Sequence, residues 1–233
     1  MTVKWTFKVY AFINQEIKSV YLETLLSMTQ RFINKLLLFL FKMIDKSDFN
    51  NIRKRIEEDD SKRESVIRKS RDLVKLSKQI IYAVHRDELK GAENLIKEIR
   101  RGFDELNKIA KKNQELLYSG SFKVAVQEYV EAVCFFNLVK NKRLTGSKEF
   151  GDNVEYYLLG VCDLTGELVR KATNYAIQGN HRPALFIKDF VEELYNQFML
   201  MDLRNSELRK KFDGMRYDLK KLEDLALAIK FKK

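Results

Sequence analysis

The stretch Glu155-Tyr-Tyr-Leu-Leu-Gly-Val-Cys-Asp163-Leu-Thr-Gly-Glu167-Leu-Val-Arg170 reads as a mostly apolar helix crossed by one polar stripe. Leu158, Val161, Cys162, Leu168, Val169 and Ala172 recur at helical spacing and are expected to face a core. Asp163 and Glu167, four apart, fall one above the other on a second face that Arg170 and Asn174 continue. Carboxylates so placed repel each other unless a cation lies between them. Gly160 and Gly166 each cost such a helix about 1 kcal/mol relative to Ala, which predicts a backbone or ligand close to both.

Outward from this stretch, the rest of the chain is also helical in pattern. The 233 residues contain one proline, Pro183, and 9 glycines, too few breakers for a sheet with tight turns. Leu, Ile, Lys and Glu are abundant, and no run alternates apolar and polar residues between turn signals. The fold class is all-α, a bundle of six to seven long antiparallel helices. The length suffices for a sizeable core.

The net charge of +11, from 44 basic and 33 acidic residues, favours a polyanionic partner: nucleic acid or an anionic membrane surface. A Lys-rich proteome is the bland alternative. Cys134 and Cys162 both sit in apolar helical runs, which fits buried reduced thiols in a cytoplasmic protein. With only His85 and His181 besides, a His/Cys zinc set is excluded.

Residues 1–42 differ from the rest. Phe12, Ile13, Ile17, Val20, Tyr21, Leu25 and Met28 give an amphipathic pattern, and Leu36 to Phe41 is a dense apolar run. Arg31, Lys35 and Lys42 break the window around it, against the roughly 20 apolar residues a membrane span needs. The segment is an extra helix on the domain or on a partner subunit, a membrane-surface helix, or translated leader before a start at Met43; the last is favoured. Residues 43–233 form one domain.

A very long helix is predicted from Phe49 to Asp87, with Ser47 or Asp48 as its cap. Its Lys and Arg residues form either a solvated face or a surface that tracks phosphates. Further helices are predicted over 92–118, 121–141, 153–178, 185–199 and 206–230, with Pro183 as a first helical residue and Ser206 as a cap. The basic connector Lys140 to Gly151 is the most flexible internal segment.

The 121–141 helix carries a second acidic pair, Glu128 and Glu131. If the two helices lie side by side, Glu128, Glu131, Asp163 and Glu167 converge. Four carboxylates without His or Cys make a hard-oxygen site that suits Mg²⁺ or Mn²⁺. With a basic surface, the matching chemistry is metal-assisted phosphodiester hydrolysis. Acidic pairs at these spacings are also common on solvated faces, so spacing alone leaves both readings open.

Gln127-Glu-Tyr-Val-Glu131-Ala-Val and Tyr157-Leu-Leu-Gly-Val-Cys-Asp163-Leu-Thr-Gly-Glu167-Leu-Val-Arg170 resemble the translin-associated factor X branch of the translin family. Gly179-Asn-His-Arg-Pro183 and the run Leu203 to Glu223 resemble translin itself at least as closely, and Lys75-Leu-Ser and His85-Arg86 fit the family pattern. The resemblance covers residues 48–230. It implies a subunit of about seven helices in a hollow, octamer-like homo-oligomer that binds single-stranded RNA and DNA on a basic inner surface. In the factor X branch it implies a Mg²⁺-dependent endoribonuclease whose acidic residues correspond to Glu128, Glu131, Asp163 and Glu167. The translin branch lacks that set and binds without cutting. The mixed character suggests an archaeal-type single-gene homolog combining both roles.

The leading reading is therefore a metal-dependent endoribonuclease with those four acids as metal ligands. Lys140, Lys142, Arg143, Arg170, Arg86 and Lys78 are the candidate phosphate contacts, against the alternative of solvated or intersubunit charges. His85 could act as general acid or base, though packing is its commoner fate; Tyr129 and Tyr157 could stack on bases or pack. The alternative function is a non-catalytic single-stranded nucleic-acid-binding oligomer.

Overall fold

A computed structural model of the chain describes residues 3–41, 44–151, 153–204 and 206–231; Met43, the favoured start, lies outside them. The described residues are overwhelmingly helical and include no strand. The chain divides into two units, residues 1–58 and 59–233, and the division falls inside a helix.

The first unit holds α1 (Val3–Phe41) and the beginning of α2 (Lys46–His85). Apolar side chains point outward on all sides of α1, among them Trp5, Tyr10, Phe12, Tyr21, Leu25, Phe32 and Phe39, all exposed. Among the described residues no helix is long and apolar enough to cross a membrane. The cap of α2 is Asp45, not Ser47 or Asp48: its Oδ1 accepts from the backbone N–H of Ser47 at 2.9 Å and of Asp48 at 3.3 Å. The acid one turn further back reaches the orphan amides that both expected residues leave open.

The second unit continues α2 and adds α3 (Leu89–Ala110), α4 (Gln114–Leu117), α5 (Gly120–Asn141), a 3-10 turn at Ser147–Phe150, α6 (Val154–Ile177), α7 (His181–Met199) and α8 (Glu207–Phe231). The helix expected over 92–118 is broken because Asn113 turns extended and its side chain accepts from the Glu115 N–H, starting α4 afresh. α7 begins two residues ahead of Pro183, which still lies in the first turn, where a missing N–H leaves no bond unmade.

α5 is the centre of this unit. It buries Phe122, Val126, Tyr129, Val130, Val133, Phe135 and Leu138, each such side chain contributing about 2 kcal/mol. α3 and α6 pack on α5, and α7 and α8 pack on α6 and on each other. The register of α6 on α5 is set at Gly160, where a Cβ would stand 2.6 Å from the Gln127 carbonyl oxygen. Gly166 has no such neighbour; a Cβ there would meet only Asp218 Oδ2, at 3.9 Å. Cys134 and Cys162 are free and buried, and burial pushes both thiols up to about 12.

Candidate metal site and its basic surround

Gly160, Asp163 and Glu167 occupy positions i, i+3 and i+7 of α6, one stripe of the helix. The stripe faces α5 where Gly160 touches Gln127 and Val130, so Asp163 and Glu167 follow on beside Glu128 and Glu131. The four carboxylates are within electrostatic reach of one another. Burial pushes Glu131 up to about 8, and the charges of Asp163, Glu128 and Glu167 add to the effect. Burial also raises Glu128, opposed by the nearby Lys78 ammonium and reinforced by Asp163.

Two of the four have close side-chain partners. Lys211 of α8 donates from Nζ to Asp163 Oδ2 and, at 3.4 Å, to Gln127 Oε1. His85, at the end of α2, is joined through Nε2 to Glu167 Oε2, and this bond holds the Glu167 carboxyl below its ordinary range. Arg170 Nη1 lies 3.8 Å from the same carboxylate. Glu128 and Glu131, by contrast, form no ion pair or hydrogen bond with the described residues. The cations that the Asp163–Glu167 spacing demanded thus come from α6 and α8, and α2 adds the His85 hydrogen bond.

His85 is held in place from both sides. Its ring packs 4.9 Å from that of Phe135, and Nδ1 is buried without a partner. Behind it Lys171, 1% exposed, donates to the carbonyls of Val84 (2.9 Å) and His85 (3.3 Å) and to Asp87 Oδ1 (2.7 Å). These bonds close the C-terminus of α2, where a cation is favoured by the helix dipole.

Of the six basic candidates, Lys78 and Arg170 border the acids. Arg86 instead forms a forked pair with Glu88, at 2.9 Å on both arms. Lys140 pairs with Glu93, and Lys142 caps α5 while its Nζ sits 5.1 Å over the Phe186 ring. Lys140 stands nine residues beyond Glu131 on α5, or ~13 Å along the axis. Arg143 lines a separate groove with Arg100, Asn137 and Glu149. Base stacking by Tyr129 is ruled out, since it is 1% exposed and stacked on Phe103. Tyr157 donates its hydroxyl to the Thr145 carbonyl, 2.9 Å away, and packs near Phe150. Sequence reading missed Lys211, Lys171 and Gln127 as parts of the site.

Oxygen donors alone, two of them in no ion pair or hydrogen bond with the described residues, fit a hard divalent cation in chemistry. Among the described residues, however, no three His, Cys, Asp or Glu side chains are grouped as ligands of one ion. Asp163 is turned to Lys211 and Glu167 to His85.

Residues 61–233 match the Translin family over their whole extent. The chain belongs to that family. The Translin of Gallus gallus is 36% identical over 116 residues, 48% of this chain and 49% of that protein. The Homo sapiens Translin is 42% identical over 78 residues, 34% of each chain. The chain thus spans half or less of the Translins it matches. The Translin-associated protein X homolog of Schizosaccharomyces pombe is 27% identical over 196 residues, covering 76% of this chain and 85% of that protein. Among solved structures, apo-NeC3PO superposes with a TM-score of 0.74 at 27% identity, covering 80% of this chain and 98% of the other. AfC3PO in complex with duplex RNA gives 0.69 at 25%, with the same coverage. A Translin-family fold thus frames the acidic stripe, and both named branches of the family are among its relatives.

Proposed function

We propose that this protein is the subunit of an RNA-binding homo-oligomer, octamer-like in form, that hydrolyses RNA phosphodiester bonds with Mg²⁺, or Mn²⁺, at Glu128, Glu131, Asp163 and Glu167. The observation that carries the reading is the placement of two half-buried carboxylates on α5, neither in an ion pair with the described residues, beside two more on α6. When bound, the cation supplies Lewis acidity: it makes a water more acidic and offsets charge that builds on the phosphate. The four acids bind and orient it. Glu131, raised to about 8 by burial, would have to give up its proton to serve as a ligand. His85 fixes the Glu167 carboxylate in one rotamer, and the α2 cap made by Lys171 keeps the imidazole in register.

Lys78 and Arg170, beside the acids, would draw the RNA backbone to the site. The duplex RNA held by AfC3PO supports RNA as the ligand class. Single-stranded RNA is the proposed substrate, with single-stranded DNA as a further ligand and the cytoplasm as the place of action. The ion pairs of Asp163 and Glu167 favour a second reading, in which the acids are structural and the assembly only binds.

Labelled single-stranded RNA decides between the two. With Mg²⁺, the wild type should cut and Glu128→Ala or Asp163→Ala should not, while both variants still bind; EDTA should abolish cutting. Equal cutting by variants and wild type would refute the proposal, and binding without any cutting would establish the second reading.

A further inference from the structure

We propose that Lys211 is a built-in, displaceable counter-ion of the acidic site, one that must leave Asp163 before a divalent cation can bind there. This rests on the metal-site reading above.

The ammonium of Lys211 sits where charge is most needed. It donates to Asp163 Oδ2 and to Gln127 Oε1, and its field reaches Glu128 and Glu131 as well. It therefore faces acids of both helices. Gln127 is 6% exposed, and its Nε2 is buried with no hydrogen-bond partner. A buried amide donor left unpaired is costly. That side chain presents its carbonyl to Lys211 although nothing receives its N–H.

The two side chains that hold Asp163 and Glu167 differ in their freedom to leave. His85 lies 6% exposed at the capped end of α2, with its ring against Phe135. Lys211 lies 28% exposed on α8, and Asp163 34% exposed, so the pair borders solvent. An ammonium on a flexible four-carbon stem is a point charge that rotates away through its own torsions. While it stays, Asp163 Oδ2 is taken up by the ammonium and is not free to act as a ligand. A divalent cation offers two charges to the same carboxylates against one from lysine. It prevails once its concentration offsets the fraction of molecules in which the ammonium is bound.

The test is Mn²⁺ binding to the full-length chain, followed by the electron paramagnetic resonance of free Mn²⁺. Lys211→Met should lower the apparent Kd about tenfold, the factor expected if the pair is closed in about nine molecules of ten. Lys211→Gln keeps a hydrogen bond to Asp163 without the charge, and should tighten binding in the same direction. In EDTA, Lys211→Met should melt below the wild type, and saturating Mg²⁺ should raise its melting temperature more than it raises that of the wild type. Unchanged or weaker Mn²⁺ binding by both Lys211 variants, with Glu131→Gln losing it, would overturn the counter-ion role and leave the metal site standing. No Mn²⁺ binding by the wild type or by either Lys211 variant would overturn both.

Discussion

A Cβ built on Gly160 would lie 2.7 Å from Cβ of Val130, closer than two such atoms can approach. This contact between α6 and α5 brings the two acidic pairs together, because Glu128 and Glu131 flank Val130 and Asp163 lies one turn beyond Gly160. Gly160→Ala must therefore separate the helices. It should cost about 1–3 kcal/mol, as overpacking of a core does. Gly166→Ala meets only Asp218 Oδ2 at 3.9 Å and should instead stabilise α6, by up to about 1 kcal/mol. Thermal unfolding of the two variants should show shifts of opposite sign.

Glu131 makes stability depend on pH. Its carboxyl is raised from 4.5 to about 8, so the folded protein keeps a proton that the unfolded chain has lost. The stability associated with that proton is present at low pH, falls as pH rises between about 4.5 and about 8, and is flat above. Glu167, lowered by His85, acts in the opposite sense: its contribution is present above the ordinary carboxylate range and is lost on acidification. In EDTA, Glu131→Gln should therefore raise the melting temperature more at pH 8.5 than at pH 5. Equal shifts at both pH values would show that burial does not govern this group.

Lys171 is the structural counterpart of the acidic site. Replacement by Met leaves the Val84 and His85 carbonyls and Asp87 without their shared donor. A loss of about 2–4 kcal/mol is expected from a buried cation removed in this way. Chemical denaturation checks the magnitude, and the equivalent Lys140→Met change, at an exposed pair with Glu93, should cost under about 1 kcal/mol.

The long helices of the second unit were legible because apolar spacing near 3.6 residues persists over several turns in them. Breaks decided by a single side chain were not. Asn113 ends one helix and starts the next through one bond to Glu115, and Asp45 outcompetes Ser47 and Asp48 by lying one turn earlier. The acidic stripe was legible for the same periodic reason. Its side-chain partners were not, since Lys211 and His85 reach Asp163 and Glu167 from 48 and 82 residues away in sequence. Stacking and packing both stayed open for Tyr129 because local sequence does not reveal that Phe103 and Phe150 cover it.

The basic residues separate by place. Lys78 and Arg170 border the acids, so alanine at either should weaken RNA binding and reduce the salt dependence by about one counter-ion. Arg86→Ala removes a guanidinium already forked onto Glu88 and should change RNA affinity less. Filter binding of labelled RNA over a range of salt concentrations measures both.

The central claim is that the acids of α5 and α6 share one divalent centre, and anomalous scattering from Mn²⁺-soaked crystals tests it most directly. The account predicts a Mn²⁺ peak between the two helices, with carboxylate oxygens from at least three of Glu128, Glu131, Asp163 and Glu167 at roughly 2.0–2.3 Å, and Lys211 turned away from Asp163. A map with no peak among these residues, or Lys211 still paired with Asp163 beneath a fully occupied ion elsewhere, would contradict it.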